Sequence, residues 1–149
     1  MNLFDQLTSL TGALEQAGIE YALAGGLAVA VWGVPRATQD IDLLVRGETL
    51  PAALEVAHRL GFVTRALPMR FDDGMEVQRV SKADGQDLLV LDLILVNANF
   101  ESVWRARQRL AIEGGGIWVV SRDGLIQMKV AAGRPQDLAD VQRLRELDR

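Results

Sequence analysis

The stretch DIDLLV, residues 40–45, constrains the fold and function of this chain more than any other. Asp40 and Asp42 stand two positions apart in an apolar run typical of a buried strand. Alternate residues of a strand point to the same face, so both carboxylates are expected on one side, with Cα atoms about 6.5–7 Å apart. Two like charges in an apolar setting repel each other and lose hydration, and something must offset that cost.

A third acid and a pair of glycines accompany this strand. Asp92 interrupts LLVLDLILV, which is even more apolar, and Gly25 and Gly26 lie between the predicted strand IEYALA and the short helix LAVAVWG. Acids on two buried strands are explained jointly by a bound cation, since Mg²⁺ prefers carboxylate and phosphate oxygens. Backbone N–H groups at the start of a helix favour a phosphate, and glycine lets it approach. The alternative is a solvent-facing edge strand and an ordinary glycine turn.

Hydrophobic periodicity and turn residues predict the remaining elements. Helices are expected over residues 2–17, from Glu48 to Leu60, over about 98–112, from Ser121 to about Ala132, and from Pro135 through Leu144. Strands are expected over 62–67, in IWVVS, and in MEVQRVSK and QDLLVLDLILV, which Ala83, Asp84 and Gly85 join as a hairpin. No repeat or linker divides the chain, so we predict one α/β (α+β) domain over residues 1–149, with a mixed central sheet flanked by helices.

Composition narrows the classes of function. The absence of cysteine excludes disulfides, thiolate nucleophiles and thiolate zinc sites, and it fits a reducing compartment, so a cytoplasmic protein is expected. The net charge of −4 argues against sequence-blind binding of duplex nucleic acid as the main activity. The N-terminus does not resemble a secretory signal, and no apolar stretch reaches the length of a membrane span.

The stretch AGGLAVAVWGVPRATQDIDLLV resembles the nucleotidyltransferase core of the DNA polymerase β superfamily. That core has a Gly-Gly or Gly-Ser pair, about nine to thirteen residues, and then Asp-x-Asp; here thirteen residues separate Gly26 from Asp40. Within the superfamily, the form G-x-P-R-x-T-x-D-I-D-L and the later MKVAAGRPQDLADVQRL most resemble the AbiEii toxin-like nucleotidyltransferases.

The resemblance implies a nucleotidyltransferase-fold enzyme that moves a nucleoside monophosphate from an NTP, such as ATP, to a hydroxyl on tRNA or another RNA, on a protein or on a small molecule. It implies that Asp40 and Asp42 bind two Mg²⁺ ions, with Mn²⁺ as an alternative. Asp92 is similar to the third metal-binding carboxylate and is the expected proton acceptor. Gly25 and Gly26 would hold the triphosphate. One metal would lower the pKa of the acceptor hydroxyl and the other would steady the leaving pyrophosphate.

Three further residues are nucleotide-binding candidates. Arg36 and Thr38 precede the Asp-x-Asp strand and are expected to reach a phosphate or to brace the aspartates; the alternatives are an ordinary ion pair and a turn hydroxyl. The resemblance implies that Lys129 lies near the triphosphate, whereas most helical lysines are simply solvated.

Asp137, in the first turn of the last helix, is expected to act mainly as a cap. The other candidates are expected to be structural or surface residues, although the three arginines could form a basic face for nucleic acid: Arg105, Arg107, Arg109, His58, Trp32, Trp104 and Trp118.

The source of acceptor binding is open at this point. No large second domain is present in the sequence, so the acceptor would be held by this domain, by a homodimer or by a partner protein, including the partner of a toxin-antitoxin pair. An inactive module of the same fold, binding nucleotide or a partner chain without turnover, is the alternative to an enzyme. The presence of all three acids favours the enzyme.

Overall fold

The computed structural model describes residues 2–147, so Met1 and residues 148–149 of the predicted domain lie outside the described residues. The helices are α1 (Leu3–Gln16), α2 (Gly25–Val31), α3 (Leu50–Arg59), α4 (Glu101–Arg105), α5 (Arg122–Ala132) and α6 (Pro135–Glu146), with 3₁₀ turns at Gly47–Thr49 and Ala98–Phe100. The strands are β1 (Ala22–Ala24), β2 (Asp40–Val45), β3 (Thr64–Arg65), β4 (Met69–Arg70), β5 (Glu76–Asp84), β6 (Asp87–Leu95), β7 (Gln108–Ile112) and β8 (Gly115–Val119).

The strands of the described chain form one mixed sheet in the order β3-β5-β6-β2-β1-β8-β7, with β4 also paired to β5. The pairs β2–β6 and β1–β8 are parallel, and the other pairs are antiparallel. Helices flank this sheet, so the predicted fold class is confirmed. Since β2 has a strand on each side, the prediction that DIDLLV is a central strand is also confirmed.

The buried face of β2 explains why this strand forms at the centre. Ile41, Leu43 and Val45 alternate along it and are fully buried. Leu91 and Leu93 occupy the paired positions of β6 and are also buried. Because side chains alternate along a strand, this packing leaves Asp40, Asp42 and Asp92 on the opposite face of the two strands.

The predicted helix over 98–112 is wrong in its second half. The α-helix ends at Arg105, and β7 follows and pairs antiparallel with β8. Gly114 and Gly115 adopt φ values of +90° and +146°, which favour glycine and form the tight turn between the two strands. The glycine triplet therefore makes a hairpin and does not end a helix.

The predicted strand over 62–67 is reduced to Thr64–Arg65, which pairs with β5 at the edge of the sheet. Val63 and Leu67 are 58% and 85% exposed, so their apolar character does not reflect burial. Pro68, which lacks a backbone N–H, then interrupts the pairing. The short strand β4 beyond this proline was not predicted from the sequence.

No helix within residues 2–147 combines the length and apolar character needed to span a membrane.

Candidate active site

Three predicted acids line one cavity on the polar face of the central strands. The parallel register of β2 and β6 places Asp42 directly opposite Asp92, and Asp40 lies two residues before Asp42 on the same face. All three line a cavity of about 590 Å³. The structure therefore brings together carboxylates that lie about a third of the chain apart in the sequence.

The environment of Asp42 disfavours its charge. Asp40 is exposed and Asp42 is partly buried, while Asp92 is only 8% exposed. Burial, followed by repulsion from Asp92 and then Asp40, raises the pKa of Asp42 from 3.8 to about 7. A cation beside these carboxylates would remove the repulsion, so the donor set suits a hard divalent ion such as Mg²⁺.

Arg79 is a cavity residue that the sequence analysis missed. It lies opposite Asp92 in the β5–β6 register, and its Nε and Nη2 donate to the two carboxylate oxygens at 2.8 and 2.9 Å. The predicted hairpin did not point to it: the turn lies at residues 85–86 and not at the predicted 83–85, and only the observed Asp84–Asp87 pairing places Arg79 beside Asp92. Such bidentate pairs are among the stronger charge-assisted hydrogen bonds.

Asp40, Asp42 and Asp92 differ in the contacts that their carboxylates make. Among residues 2–147, no group of three or more His, Cys, Asp or Glu side chains is arranged to hold an ion. Asp92 differs from the other two acids in that both of its oxygens accept hydrogen bonds from Arg79. Asp40 and Asp42 are the carboxylates that keep the arrangement expected for a hard cation, as two oxygen donors on one face of a strand.

The two glycines begin α2 and line the cavity, but they meet different neighbours. Gly25 has φ +68°, and a Cβ placed on it would lie 2.0 Å from Oδ2 of Asp42. A Cβ on Gly26 would meet atoms of Arg36 and Thr38 at 3.4 Å, an ordinary contact distance. Gly25 is thus needed for the close approach of the Asp42 carboxylate to the backbone, independently of any phosphate.

Thr38 and Arg36 lie in the loop before β2 and line the same cavity. Thr38 Oγ1 accepts a hydrogen bond from the backbone N–H of Asp40 at 3.3 Å, so it braces the start of the strand that carries the acids. Arg36 is partly buried, and its Nη1 lies 3.5 Å from Oδ1 of Asp140. These contacts match the expected bracing role for Thr38 and bring a cation to the cavity wall.

Lys129 is not the solvated helix lysine of the alternative interpretation. It is 8% exposed, and its Nζ lies 2.9 Å from Asp140 Oδ2 and 3.6 Å from Asp137 Oδ1. Asp137 also accepts from the backbone N–H of Arg134, so the predicted capping of α6 is confirmed. Burial opposes ionisation of Asp137, but the Arg134 hydrogen bond and the charges of Arg134 and Lys129 lower its pKa overall.

Residues 69–75, for which the sequence predicted no functional role, form a further part of the cavity lining, called the second wall below. Phe71 is 49% exposed, and Asp72 beside it is also exposed. Asp73 accepts from the backbone N–H of Met75, which shapes the turn. The residues that this segment contributes to the wall are Met69, Phe71, Asp72, Asp73 and Met75.

The three arginines proposed as a basic face do not line the cavity and are engaged elsewhere. Arg107 stacks 4.1 Å from the ring centroid of Trp104 and pairs with Glu20. Arg105 and Arg109 pair with Glu101 and Glu15. These contacts favour the structural interpretation. His58 is exposed, and the tryptophans pack in or against the core, as predicted.

Comparison with known proteins identifies the family to which this site belongs. The family model for Aminoglycoside-2''-adenylyltransferase matches residues 6–144, nearly the whole chain. The chain belongs to this family. It is therefore a nucleotidyltransferase enzyme, as the sequence predicted, and the matched model is that of the aminoglycoside-2''-adenylyltransferases, not of the AbiEii toxin-like proteins. No curated protein shows significant sequence similarity to the chain.

Solved structures share the fold at low sequence identity. The lincosamide antibiotic adenylyltransferase LnuA, crystallised with lincomycin, is 14% identical with a TM-score of 0.68, and the match covers 97% of each chain. ANT(2")-Ia in complex with adenylyl-2"-tobramycin is 18% identical with a TM-score of 0.63, covering 94% of this chain and 85% of that one. At these identities the likeness establishes the nucleotidyltransferase fold.

Proposed function

We propose that this member of the aminoglycoside-2''-adenylyltransferase family transfers AMP from ATP to a hydroxyl of a small, amine-bearing acceptor, with Asp40, Asp42 and Asp92 as its catalytic acids. The observation that carries the proposal is the register of β2 and β6, which puts Asp42 beside Asp92 at the base of the cavity. The family's adenylyltransferase activity supports the choice of donor and reaction.

Asp40 and Asp42 would hold the divalent metal, two Mg²⁺ ions or Mn²⁺ in their place, and Asp92 would complete the set of carboxylates. When bound, the metal would activate the acceptor hydroxyl and stabilise the charge that develops on the pyrophosphate. Both oxygens of Asp92 already accept hydrogen bonds from Arg79. Each oxygen keeps a second lone pair, so Asp92 could take a metal or the hydroxyl proton while Arg79 orients its carboxylate.

The triphosphate would bind beside the start of α2, near Lys129 and Arg36. The backbone N–H groups of Gly25 and Gly26 can approach a phosphate because no side chain shields them. Lys129 and Arg36 supply positive charge from two different elements, and Thr38 fixes the start of β2 between them. This arrangement would align the α-phosphorus with the acids for in-line attack.

The second wall suits an acceptor that carries amines. Among residues 2–147, six carboxylates and four basic side chains line the cavity, and the acids include Asp72 and Asp73. The exposed face of Phe71 and the side chain of Met75 add apolar surface for a sugar or similar ring. A volume of about 590 Å³ lies within the range of small-ligand sites. The neighbours that bind lincomycin and adenylyl-2"-tobramycin support a compact acceptor.

The proposal is tested by incubating the protein with Mg-ATP and, separately, tobramycin, lincomycin and total tRNA, followed by mass spectrometry. We expect the mass of one AMP unit to be added to a compact acceptor by the wild type and not by Asp42→Asn. Modification of tRNA or of the protein itself, with both small molecules unmodified, would instead support the finer interpretation of an AbiEii toxin-like enzyme. No product on any acceptor would contradict the proposal.

A further inference from the structure

Asp140 is a buried acid that does not itself line the cavity but contacts two cations that do. It lies on α6 and is 1% exposed. One carboxylate oxygen lies 2.9 Å from Lys129 Nζ, and the other lies 3.5 Å from Arg36 Nη1. Since Lys129 comes from α5 and Arg36 from the loop before β2, this one carboxylate connects three separate segments behind the cavity wall.

A lysine as buried as Lys129 depends on such a partner. Without a counter-charge, burial favours the neutral amine or drives the side chain out toward water. Asp137 is a more distant second partner at 3.6 Å, and it also caps α6 and pairs with Arg134. Asp140 is therefore the nearest ionic partner that holds Lys129 in position.

We propose that Asp140 is a positioning residue that holds Lys129 and Arg36 as a two-cation clamp for the triphosphate of the nucleotide. The inference rests on the proposed function for the identity of the ligand and adds a residue to which neither the sequence nor the family match assigns a role. Asp140 acts through the two cations and touches no substrate atom.

Charge and positioning predict opposite effects of neutralising Asp140. If the acid only added negative charge near the phosphates, Asp140→Asn would strengthen anion binding, because a repulsive charge is lost. If it positions the clamp, the same substitution would weaken anion binding, because Lys129 and Arg36 are no longer held in place. The direction of the change therefore separates the two explanations.

The direct test is isothermal titration of the whole protein with tripolyphosphate in the presence of Mg²⁺ and without acceptor. We expect Asp140→Asn to weaken binding roughly tenfold or more, as is typical when the residue supporting a binding group is removed. Asp123→Asn is the matched control, since it removes an exposed carboxylate from α5 and should leave the affinity unchanged. Unchanged or tighter binding by folded Asp140→Asn would overturn the inference.

A double variant keeps the test decisive if Asp140→Asn folds poorly. Lys129→Met together with Asp140→Asn removes both partners of the buried pair, which proteins often tolerate better than the loss of one. The double variant is compared with Lys129→Met alone: because Asp140 acts through Lys129 in part, adding Asp140→Asn should cost clearly less than the roughly tenfold loss expected in the wild type. A loss of tenfold or more between these two variants would contradict the clamp.

Steady-state kinetics supply a second readout that a purely structural role would not reproduce. We expect Asp140→Asn to raise KM for ATP more than it lowers kcat, because the clamp binds the ground state as well as the transition state. A fall in kcat alone would argue against the clamp. Failure of the wild type to bind tripolyphosphate would instead overturn the proposed nucleotide site as well, so the two failures are distinguishable.

Discussion

The backbone of Gly25 and the carboxylate of Asp42 are so close that no side chain can stand between them. A Cβ on Gly25 would lie 2.0 Å from Oδ2 of Asp42 and 2.8 Å from its Cγ. The start of α2 and the acid-bearing strand therefore fit together only with glycine at this position. The site geometry depends on this contact before any ligand binds.

We expect Gly25→Ala to destabilise the protein and to abolish transfer, since the substitution combines a steric clash with an unfavourable positive φ. Gly26→Ala is the matched control, because its Cβ would meet neighbours at ordinary contact distance. Thermal unfolding of both variants checks the prediction: the melting temperature should fall for Gly25→Ala and stay near the wild-type value for Gly26→Ala. Equal melting temperatures would show that Asp42 is not packed against this turn.

Metal-free stability should depend on the protonation of Asp42. Burial, then repulsion by Asp92 and Asp40, raises its pKa from 3.8 to about 7. A raised folded-state pKa gives a contribution that is complete below about pH 4 and is lost as the pH rises toward 7. In EDTA, the free energy of unfolding of the wild type should therefore fall relative to Asp42→Asn by roughly 1–3 kcal/mol between pH 4 and pH 8, allowing for the partial exposure of the side chain.

Urea unfolding at both pH values measures this difference between Asp42→Asn and the wild type. A difference that does not change with pH would exclude an abnormal ionisation of Asp42. Adding Mg²⁺ at pH 8 should stabilise the wild type and leave Asp42→Asn nearly unaffected, because the variant lacks one of the proposed ligands.

Arg79 should matter to catalysis although it is absent from the motif. Arg79→Gln leaves Asp92 without its bidentate partner beside Asp42, so we expect transfer to fall by about tenfold or more and its Mg²⁺ dependence to shift. Arg70→Gln is a suitable control, because Arg70 is an exposed arginine on β4 that pairs with Glu76. Kinetics at several Mg²⁺ concentrations check this; identical behaviour of the two variants would leave Arg79 without a role.

Asp137 should contribute to stability as a cap. Asp137→Ala removes the acceptor of the Arg134 backbone N–H and one partner of buried Lys129. We expect the free energy of unfolding to fall by about 2–3 kcal/mol at pH 7. Because the pKa of Asp137 is lowered, this contribution is present at neutral pH and should be lost as the pH falls below about 4. Asp123→Ala in the exposed first turn of α5 should cost much less, and an equal cost would contradict the prediction.

The central sheet and the grouping of the acids could be predicted because they depend on local patterns. Alternation places Asp40 and Asp42 on one face of β2, and the apolar run around Asp92 identifies a second buried strand. The glycine at position 85 correctly indicates the β5–β6 hairpin, although the turn lies at residues 85–86 and not at the predicted 83–85. These signals lie within short stretches of chain. The pairing of β2 with β6 then brings the acids together.

The remaining features depend on contacts between distant segments. Asp140 has the pattern of an ordinary helix acid until α6 packs beside α5 and buries it against Lys129. The close approach of Gly25 to Asp42 requires the β1–α2 turn to meet β2. Residues 108–112 carry an apolar spacing that also suits a helix, and their pairing with β8 decides for the strand. In each case a contact with a distant segment determines the environment of the side chain or the type of element, and the local sequence does not.

The most direct measurement of the central claim compares ATP labelled at the α-phosphate with ATP labelled at the γ-phosphate, using an acceptor that the wild type modifies. If Asp40, Asp42 and Asp92 direct attack on the α-phosphorus, label from the α-phosphate alone should appear on the acceptor, and Asp42→Asn should transfer none. Transfer of label from the γ-phosphate, or equal α-label transfer by Asp42→Asn, would contradict this account of the site.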